Sequence, residues 1–284
     1  MRSAIDIGSN SLRLLVTDEK GGVLRQEVEE TRLGKGFREG MLPESAVERT
    51  LAVMERWQKE LKEAGSPPPV IFATSAVRDA ANGQAFAEAV NRRIGVPLRI
   101  LSGEEEAWYS FSGAVGGFDF PQEECLLIDI GGGSTELAAY ENGHLKGISM
   151  PMGAVRWQVM EAKREEVKRM MATNITLCRF DKVRHFIGVG GTITTAGAIL
   201  GEVAEYSREA IHGRTVTYRD VTDLRNRLEA MTVEERKQIV GMPPARAEII
   251  VYGLEILTIL FEILQIPQLF VSDWGILDGV LREV

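Results

Sequence analysis

Leu127-Ile128-Asp129-Ile130-Gly131-Gly132-Gly133-Ser134-Thr135 echoes a run near the start of the chain, Ala4-Ile5-Asp6-Ile7-Gly8-Ser9-Asn10-Ser11. Each copy reads as an apolar strand, a glycine turn and a second extended run, at 12–16 in the first and 136–140 in the second. Both then pass through another turn, Lys20-Gly21-Gly22 or Glu141-Asn142-Gly143, into a further extended segment. Downstream, Val70-Ile71-Phe72-Ala73-Thr74-Ser75-Ala76 has its counterpart in Phe186-Ile187-Gly188-Val189-Gly190-Gly191-Thr192, each an apolar strand that ends in small residues before a helix. Matches in one order predict duplicated halves.

Between these strands, 43–64 places Val47, Leu51, Met54, Trp57 and Leu61 on one face, opens on proline and stops at Gly65, which predicts a helix packed on a sheet. A second helix, 84–94, follows Asn82 as its cap and ends at Gly95, after which 97–101 returns as a strand. Strands alternating with helices predict an α/β fold. Turn formers cluster at Gly116-Gly117-Phe118-Asp119-Phe120-Pro121, so domains are predicted at 1–120 and 121–284, with the last helix, about 276–284, crossing back onto the first.

The 284 residues, 44% apolar and 26% charged, suffice for a sizeable core and exclude disorder and fibrous repeats. The two cysteines, Cys125 and Cys178, exclude a disulfide scaffold or a cysteine-rich zinc module and point to a reducing compartment, the cytoplasm. His144, His185 and His212 are too dispersed for a histidine-built metal centre, so a metal would need carboxylate ligands. No apolar signal core opens the chain, and the longest apolar stretch, 249–266, is interrupted by Glu255 and Glu262, so no membrane association is expected. A formal net charge of −8 argues against nucleic acid as a partner and leaves room for a local basic cleft.

A strand that ends in Asp and runs into glycines and hydroxyl residues presents backbone N–H groups to an anion, while the aspartate can hold a divalent cation. One such copy is equally an ordinary hairpin turn. Two copies carrying Asp, Gly and Ser, facing each other across related domains, would grip one phosphoryl group from both sides.

Taken together, Asp6-Ile7-Gly8-Ser9-Asn10-Ser11 with Arg13, Ala73-Thr74-Ser75-Ala76-Val77-Arg78, Ser102-Gly103-Glu104-Glu105-Glu106-Ala107 and Asp129-Ile130-Gly131-Gly132-Gly133-Ser134-Thr135-Glu136 resemble the exopolyphosphatase and guanosine pentaphosphate phosphatase family. The resemblance continues through Arg32-Leu33-Gly34 with Gly36, Gly188 to Thr192, Arg246-Ala247-Glu248 and Ser272-Asp273-Trp274-Gly275. It implies two related domains of the actin, sugar kinase and Hsp70-like (ribonuclease H-like) fold with the active site in the cleft between them. It also implies hydrolysis of the terminal phosphoanhydride of inorganic polyphosphate, assisted by Mg²⁺ or another divalent cation such as Mn²⁺, with guanosine pentaphosphate as a further substrate. Longer relatives add a C-terminal helical domain that has no counterpart here. Distributive attack on long polymers is therefore expected, unless a homodimer supplies a surface that holds the chain.

Of the three consecutive glutamates, Ser102 as N-cap puts Glu105 at the capping-box position and leaves Glu104 as a solvated partner of the helix dipole. Glu106 is left without a local role, and the family motif gives it the water-activating position, against the alternative of a first-turn acid. Glu136, which follows the second loop, would assist the water or hold the metal; otherwise it is an edge-strand charge. Asp129 is the first choice as metal ligand and Asp6 the second. Phosphate is assigned to Gly8, Ser9, Asn10, Ser11, Gly131, Gly132, Gly133, Ser134 and Thr135, and to Arg13, Arg32 and Arg78 among the motif arginines, because an arginine fork matches phosphate oxygens. Arg38 and Lys35 also lie beside the motif loops, and Arg78 has the alternative of a surface pair with Asp79 or Glu88. Gly190, Gly191 and Thr192 read as a phosphate or nucleotide loop, or as a strand-to-helix turn that needs glycine. His185 and His212 read as structural or surface groups, Cys125 and Cys178 as core. Two other functions fit the paired loops, a kinase or ATPase of the same fold and a non-catalytic sensor of polyphosphate or an alarmone. The glutamates favour attack by water.

Overall fold

The computed structural model describes residues 1–176, 180 and 182–283, so Cys178 lies outside the described residues. The first sheet joins β1 (Arg2–Ile7), β2 (Ser11–Thr17), β3 (Val23–Glu30), β4 (Val70–Ala73) and β5 (Leu98–Ile100) in the order β3-β2-β1-β4-β5. The hairpin strands β1, β2 and β3 pair antiparallel, and β4 and β5 add in parallel beside β1. The second sheet is built from β6 (Cys125–Ile130), β7 (Thr135–Glu141), β8 (His144–Met150), β9 (His185–Val189), β10 (Thr215–Val216) and β11 (Leu269–Val271). Read from β8, its order is β8-β7-β6-β9-β11, with the short β10 added antiparallel at the edge. Both sheets thus have the same topology, the duplicated ribonuclease H-like arrangement of the actin, sugar kinase and Hsp70-like fold.

Register carries the repeat down to single residues. The second pair back from each turn is Asp6 opposite Arg13 in one hairpin and Asp129 opposite Glu136 in the other.

On one face of the first sheet, Ile5, Ile7 and Leu14 pack against Met54, Trp57 and Leu61 of the helix Glu44–Glu63 and against Phe86 and Val90 of the helix Gly83–Ile94. Gly65 and Gly95, with positive φ, stop these helices where the sequence predicts. Asn82 does not cap the second helix. Its amide instead bonds both backbone groups of Leu42, accepting from the N–H at 2.7 Å and donating to the carbonyl at 3.0 Å, a long-range use of a side chain that local reasoning assigns to a cap. The helix Ile250–Leu264 is buried in the second core, with Glu255 and Glu262 both paired to Arg164. No described helix is long and apolar enough to cross a membrane. Cys125 is a buried free thiol, pushed up to about 12 by burial.

Two helices between the sheets position the site. Ala107, Phe111 and Ala114 of the helix Gly103–Val115 pack on Leu127 and Ile187 of the second sheet. Ile276, Val280 and Leu281 of the C-terminal helix Ile276–Glu283 pack with Ala4, Leu15 and Phe72 of the first. The 103–115 helix therefore sits N-terminal to the turn-rich segment at 116–121 yet packs on the sheet that follows it. The two helices approach so closely that a Cβ at Gly113 would lie 1.9 Å from Gly275 O, and one at Gly279 2.0 Å from Tyr109 O. Backbone cannot yield as a flexible side chain can. Gly279→Ala is expected to cost about 2–3 kcal/mol in denaturant unfolding by overpacking, and a loss below about 0.5 kcal/mol would show the crossing to be loose.

Candidate active site

The glycine loops face each other at the carboxyl ends of β1 and β6. Each is closed by the same bond, Gly8 N–H to Ser11 O at 3.1 Å and Gly131 N–H to Ser134 O at 3.0 Å. The remaining carbonyls are drawn outward. Ser9 O accepts from Gly34 N–H at 2.7 Å, and Asn10 O from the N–H groups of Thr31 and Arg32. Gly131 O accepts from Ala154 N–H, Gly132 O from Val155 and Arg156 N–H, and Gly133 O from Arg156 Nε at 2.7 Å. Among the described residues, the N–H groups of Ser9, Asn10, Gly132 and Gly133 find no backbone acceptor, and such grouped free N–H donors bind anions. The loops are nearly in contact: a Cβ on Gly133 would lie 2.5 Å from Ser9 Oγ and 2.2 Å from Ser75 Oγ.

They enclose a cavity of about 60 Å³. Of the residues assigned from the sequence, Gly8, Ser9, Asn10, Ser11, Arg13, Glu106, Asp129, Gly131, Gly132, Gly133, Ser134, Glu136, Gly190 and Gly191 line it. For five others the structure corrects the expectation of direct contact. Asp6 is wholly buried under Arg13, whose Nε donates to Asp6 Oδ2 at 2.7 Å. Arg32 turns away to Glu30, with Nε to Oε2 at 2.9 Å. Arg78 holds Glu106 instead of the cavity: its Nη1 donates to Glu106 Oε2 at 2.8 Å and to Leu101 O at 3.0 Å. Thr135 Oγ1 is spent on Met152 O at 2.6 Å, and buried Thr192 packs so close to Gly253 that a Cβ there would lie 2.2 Å from its Oγ1.

The cross-strand pairs explain why the halves differ chemically. In the first, Asp6 is neutralised by Arg13. In the second, Asp129 faces Glu136, another acid, and Glu106 joins them from the first turn of the 103–115 helix. Ser102 and Glu105 form the expected capping box, Glu104 is exposed, and Glu106 is only 7% exposed. Burial pushes Glu106 up to about 7, Arg78 opposing and the Asp129 and Asp6 charges adding. Burial likewise raises Glu136 well above the usual carboxylate range, with the Glu106 and Asp129 charges adding, and raises Asp129 against the pull of Ser110 and Arg13. Hydroxyls fix the orientation: Ser110 Oγ donates to Asp129 Oδ2 at 2.7 Å and Ser149 Oγ to Glu136 Oε1 at 2.6 Å.

Arg78 pairs with Glu106, but no ion pair meets Asp129 or Glu136 among the described residues, and a divalent cation relieves such an excess of negative charge. Among the described residues, no three Asp, Glu, His or Cys side chains converge to ligate an ion by themselves. Mg²⁺ asks for less, one or two carboxylates completed by water and phosphate oxygens. Asp129 and the neighbouring glutamates fit that demand; Asp6 satisfies Arg13 and does not reach the cavity, although its Oδ1 has no hydrogen-bond partner among the described residues.

Local reading missed Arg246 and Ser75, which also line the cavity, and assigned Arg156 no role. Arg246 is brought down to about 10 by burial and by the charge of Arg13, and its guanidinium lies against Gly191, where a Cβ would come within 1.7 Å of Cζ. Its place in the 246–248 motif was the one signal that pointed to it. A second cavity of about 250 Å³ opens beside the first and shares Asn10, Ser11, Arg13, Gly190, Gly191 and Arg246 with it.

Residues 15–284 match the Ppx/GppA phosphatase family. Exopolyphosphatase 2 of Mycobacterium tuberculosis is 30% identical over 307 aligned residues, which cover 98% of this chain and 96% of that protein. The solved PPX-GPPA enzyme of Aquifex aeolicus superposes with a TM-score of 0.80 at 31% identity, over 99% of this chain and 98% of that one. A crystal structure of an exopolyphosphatase-like protein superposes with a TM-score of 0.90 at 26% identity, over 99% and 97%. The chain belongs to the Ppx/GppA phosphatase family.

Proposed function

We propose that the protein is an Mg²⁺-dependent exopolyphosphatase of the cytoplasm, which hydrolyses the terminal phosphoanhydride of inorganic polyphosphate. The observation that carries this reading is the pairing of two anion-binding loops with Glu106, Asp129 and Glu136 around one small cavity. Free N–H groups of both loops hold the terminal phosphoryl oxygens, and Arg13 and Arg246 face the charge on the leaving phosphate. Arg78 fixes Oε2 of Glu106, which leaves Oε1 to orient and accept a proton from the attacking water. Asp129 and the adjacent Glu136 would hold the cation, which would supply charge neutralisation at the phosphoryl oxygens. Because the transition state is loose, positioning outweighs basicity.

Purified protein with Mg²⁺ should release orthophosphate from polyphosphate, and ATP with glucose should yield neither ADP nor glucose phosphate. Binding without release would leave a sensor. Guanosine pentaphosphate is a second reading, favoured by the adjoining cavity of about 250 Å³, whose further wall includes Leu15, Val28 and Tyr206 and offers apolar surface to a nucleoside. Side-by-side rates on the two substrates rank them.

Asp129→Asn keeps the shape of the site and removes a charged oxygen. It should raise the Mg²⁺ concentration for half-maximal rate by about tenfold or more. An unchanged Mg²⁺ requirement would take Asp129 out of the ligand set.

A further inference from the structure

We propose that Arg156 is a positioning residue that locks the second glycine loop onto the first half of the molecule and sets that loop in register with Glu106. The inference rests on the reading of the site given above. Arg156 follows the turn at Gly153, whose backbone abuts the loop: a Cβ on Gly153 would lie 2.5 Å from Gly132 C. Three features of its guanidinium point the same way. Nε donates to Gly133 O at 2.7 Å, which holds that carbonyl out of the anion-binding loop. Nη2 pairs with Asp79, at the end of the short helix Ser75–Arg78 in the other half. The planar group also lies 3.9 Å over the ring of Phe37, again in the other half.

Asp79 is in turn 3.7 Å from Nε of Arg78, and Arg78 holds Glu106 at 2.8 Å. Gly133, Arg156, Asp79, Arg78 and Glu106 therefore form one line of alternating partners across the interdomain boundary. Its ends are the phosphate-binding loop and the carboxylate assigned to the water. Arg156 itself does not line the catalytic cavity. It acts on the reaction through the atoms it orients, and lysine cannot replace it, because a single ammonium cannot serve the carbonyl, the carboxylate and the ring together.

The test compares wild type, Arg156→Ala, Arg156→Lys, Asp79→Asn and the Ala/Asn double variant, using orthophosphate release from polyphosphate with Mg²⁺. Arg156→Ala should lower kcat by about 10- to 50-fold with KM changed less than about threefold, since small misplacements of reacting groups cost rate. Arg156→Lys should recover little. The double variant should be no slower than Arg156→Ala alone. Multiplying losses, a kcat within about twofold of wild type, or a rise in KM at constant kcat would each overturn the proposal. Amide hydrogen exchange supplies a readout independent of turnover. The helical amides of Val77, Arg78 and Asp79, bonded to Thr74 and Ser75 carbonyls, should exchange at least about fivefold faster in Arg156→Ala, although the substitution lies in the other half. Unchanged exchange there overturns the lock. Faster exchange in a protein that releases no phosphate would uphold the lock and remove the proposed function.

Discussion

Glu106→Gln should lower turnover on polyphosphate by about 10²-fold or more with KM near that of wild type, whereas Glu105→Gln should leave turnover within about threefold. The two residues are adjacent and their environments are opposite. Glu105 closes the capping box on Ser102 and pairs with Arg99, both outside the cavity, and glutamine still caps. Glu106 is buried against Asp129 and Glu136 and shares one oxygen with Arg78. The same substitution should stabilise the substrate-free, Mg²⁺-free protein above neutral pH. A carboxyl raised to about 7 in the fold binds more protons there than in the unfolded chain, so stability falls as pH rises from the ordinary glutamate range through about 7. Glutamine removes that loss, at most about 3 kcal/mol on the linkage relation. The Tm advantage of Glu106→Gln over wild type should therefore be small at pH 5 and reach a few degrees at pH 8. A difference that stays flat with pH, or equal small losses of turnover in both variants, would remove Glu106 from its assigned role.

Where the sequence was informative, the signal was local. A glycine turn between apolar runs fixes a hairpin by itself, and two such hairpins followed by matching strands left one topology for both halves. The hairpin register also carries a chemical distinction between the halves. Once Gly8 bonds Ser11, the pairs count back to Asp6 opposite Arg13, and by the same count Asp129 falls opposite Glu136. Asp6 is neutralised across the strand and Asp129 is not, so only the second half keeps an unpaired acidic pair for chemistry. What was illegible lies at long range. Nothing in the 103–115 helix announces that it packs on the second sheet, because its apolar face would suit either. Asn82 looks like a helix cap until Leu42 is beside it. Arg156 carries no local mark either, and Arg246 none beyond its motif; each derives its role from a loop outside its own segment, Gly133 for one and Gly191 for the other.

Gly190→Ala should reduce kcat by about 10²-fold and raise the Mg²⁺ requirement, far beyond what its effect on stability explains. Gly190 has φ +89°, so any side chain adds backbone strain of about 1–3 kcal/mol. Strain alone would leave the chemistry intact. The added methyl, however, would lie 2.6 Å from both Asp129 Oδ1 and the carbonyl of Ile130. The carbonyl belongs to β6 and cannot retreat without disturbing the strand that carries the second loop. Asp129 must then rotate, which breaks its 2.7 Å bond from Ser110 and turns its carboxylate out of the cavity. Gly143→Ala is the matched control, since Gly143 has φ +81° in the turn between β7 and β8 and open space where a Cβ would go. It carries a similar backbone penalty at a distance from the chemistry, and its activity should stay within about twofold of wild type. Steady-state rates over a range of Mg²⁺ concentrations, with Tm measured for both variants, separate the two effects. If the alanine at 190 loses no more activity than the one at 143, the glycine there serves only backbone freedom, and contact with Asp129 is not what the reaction depends on.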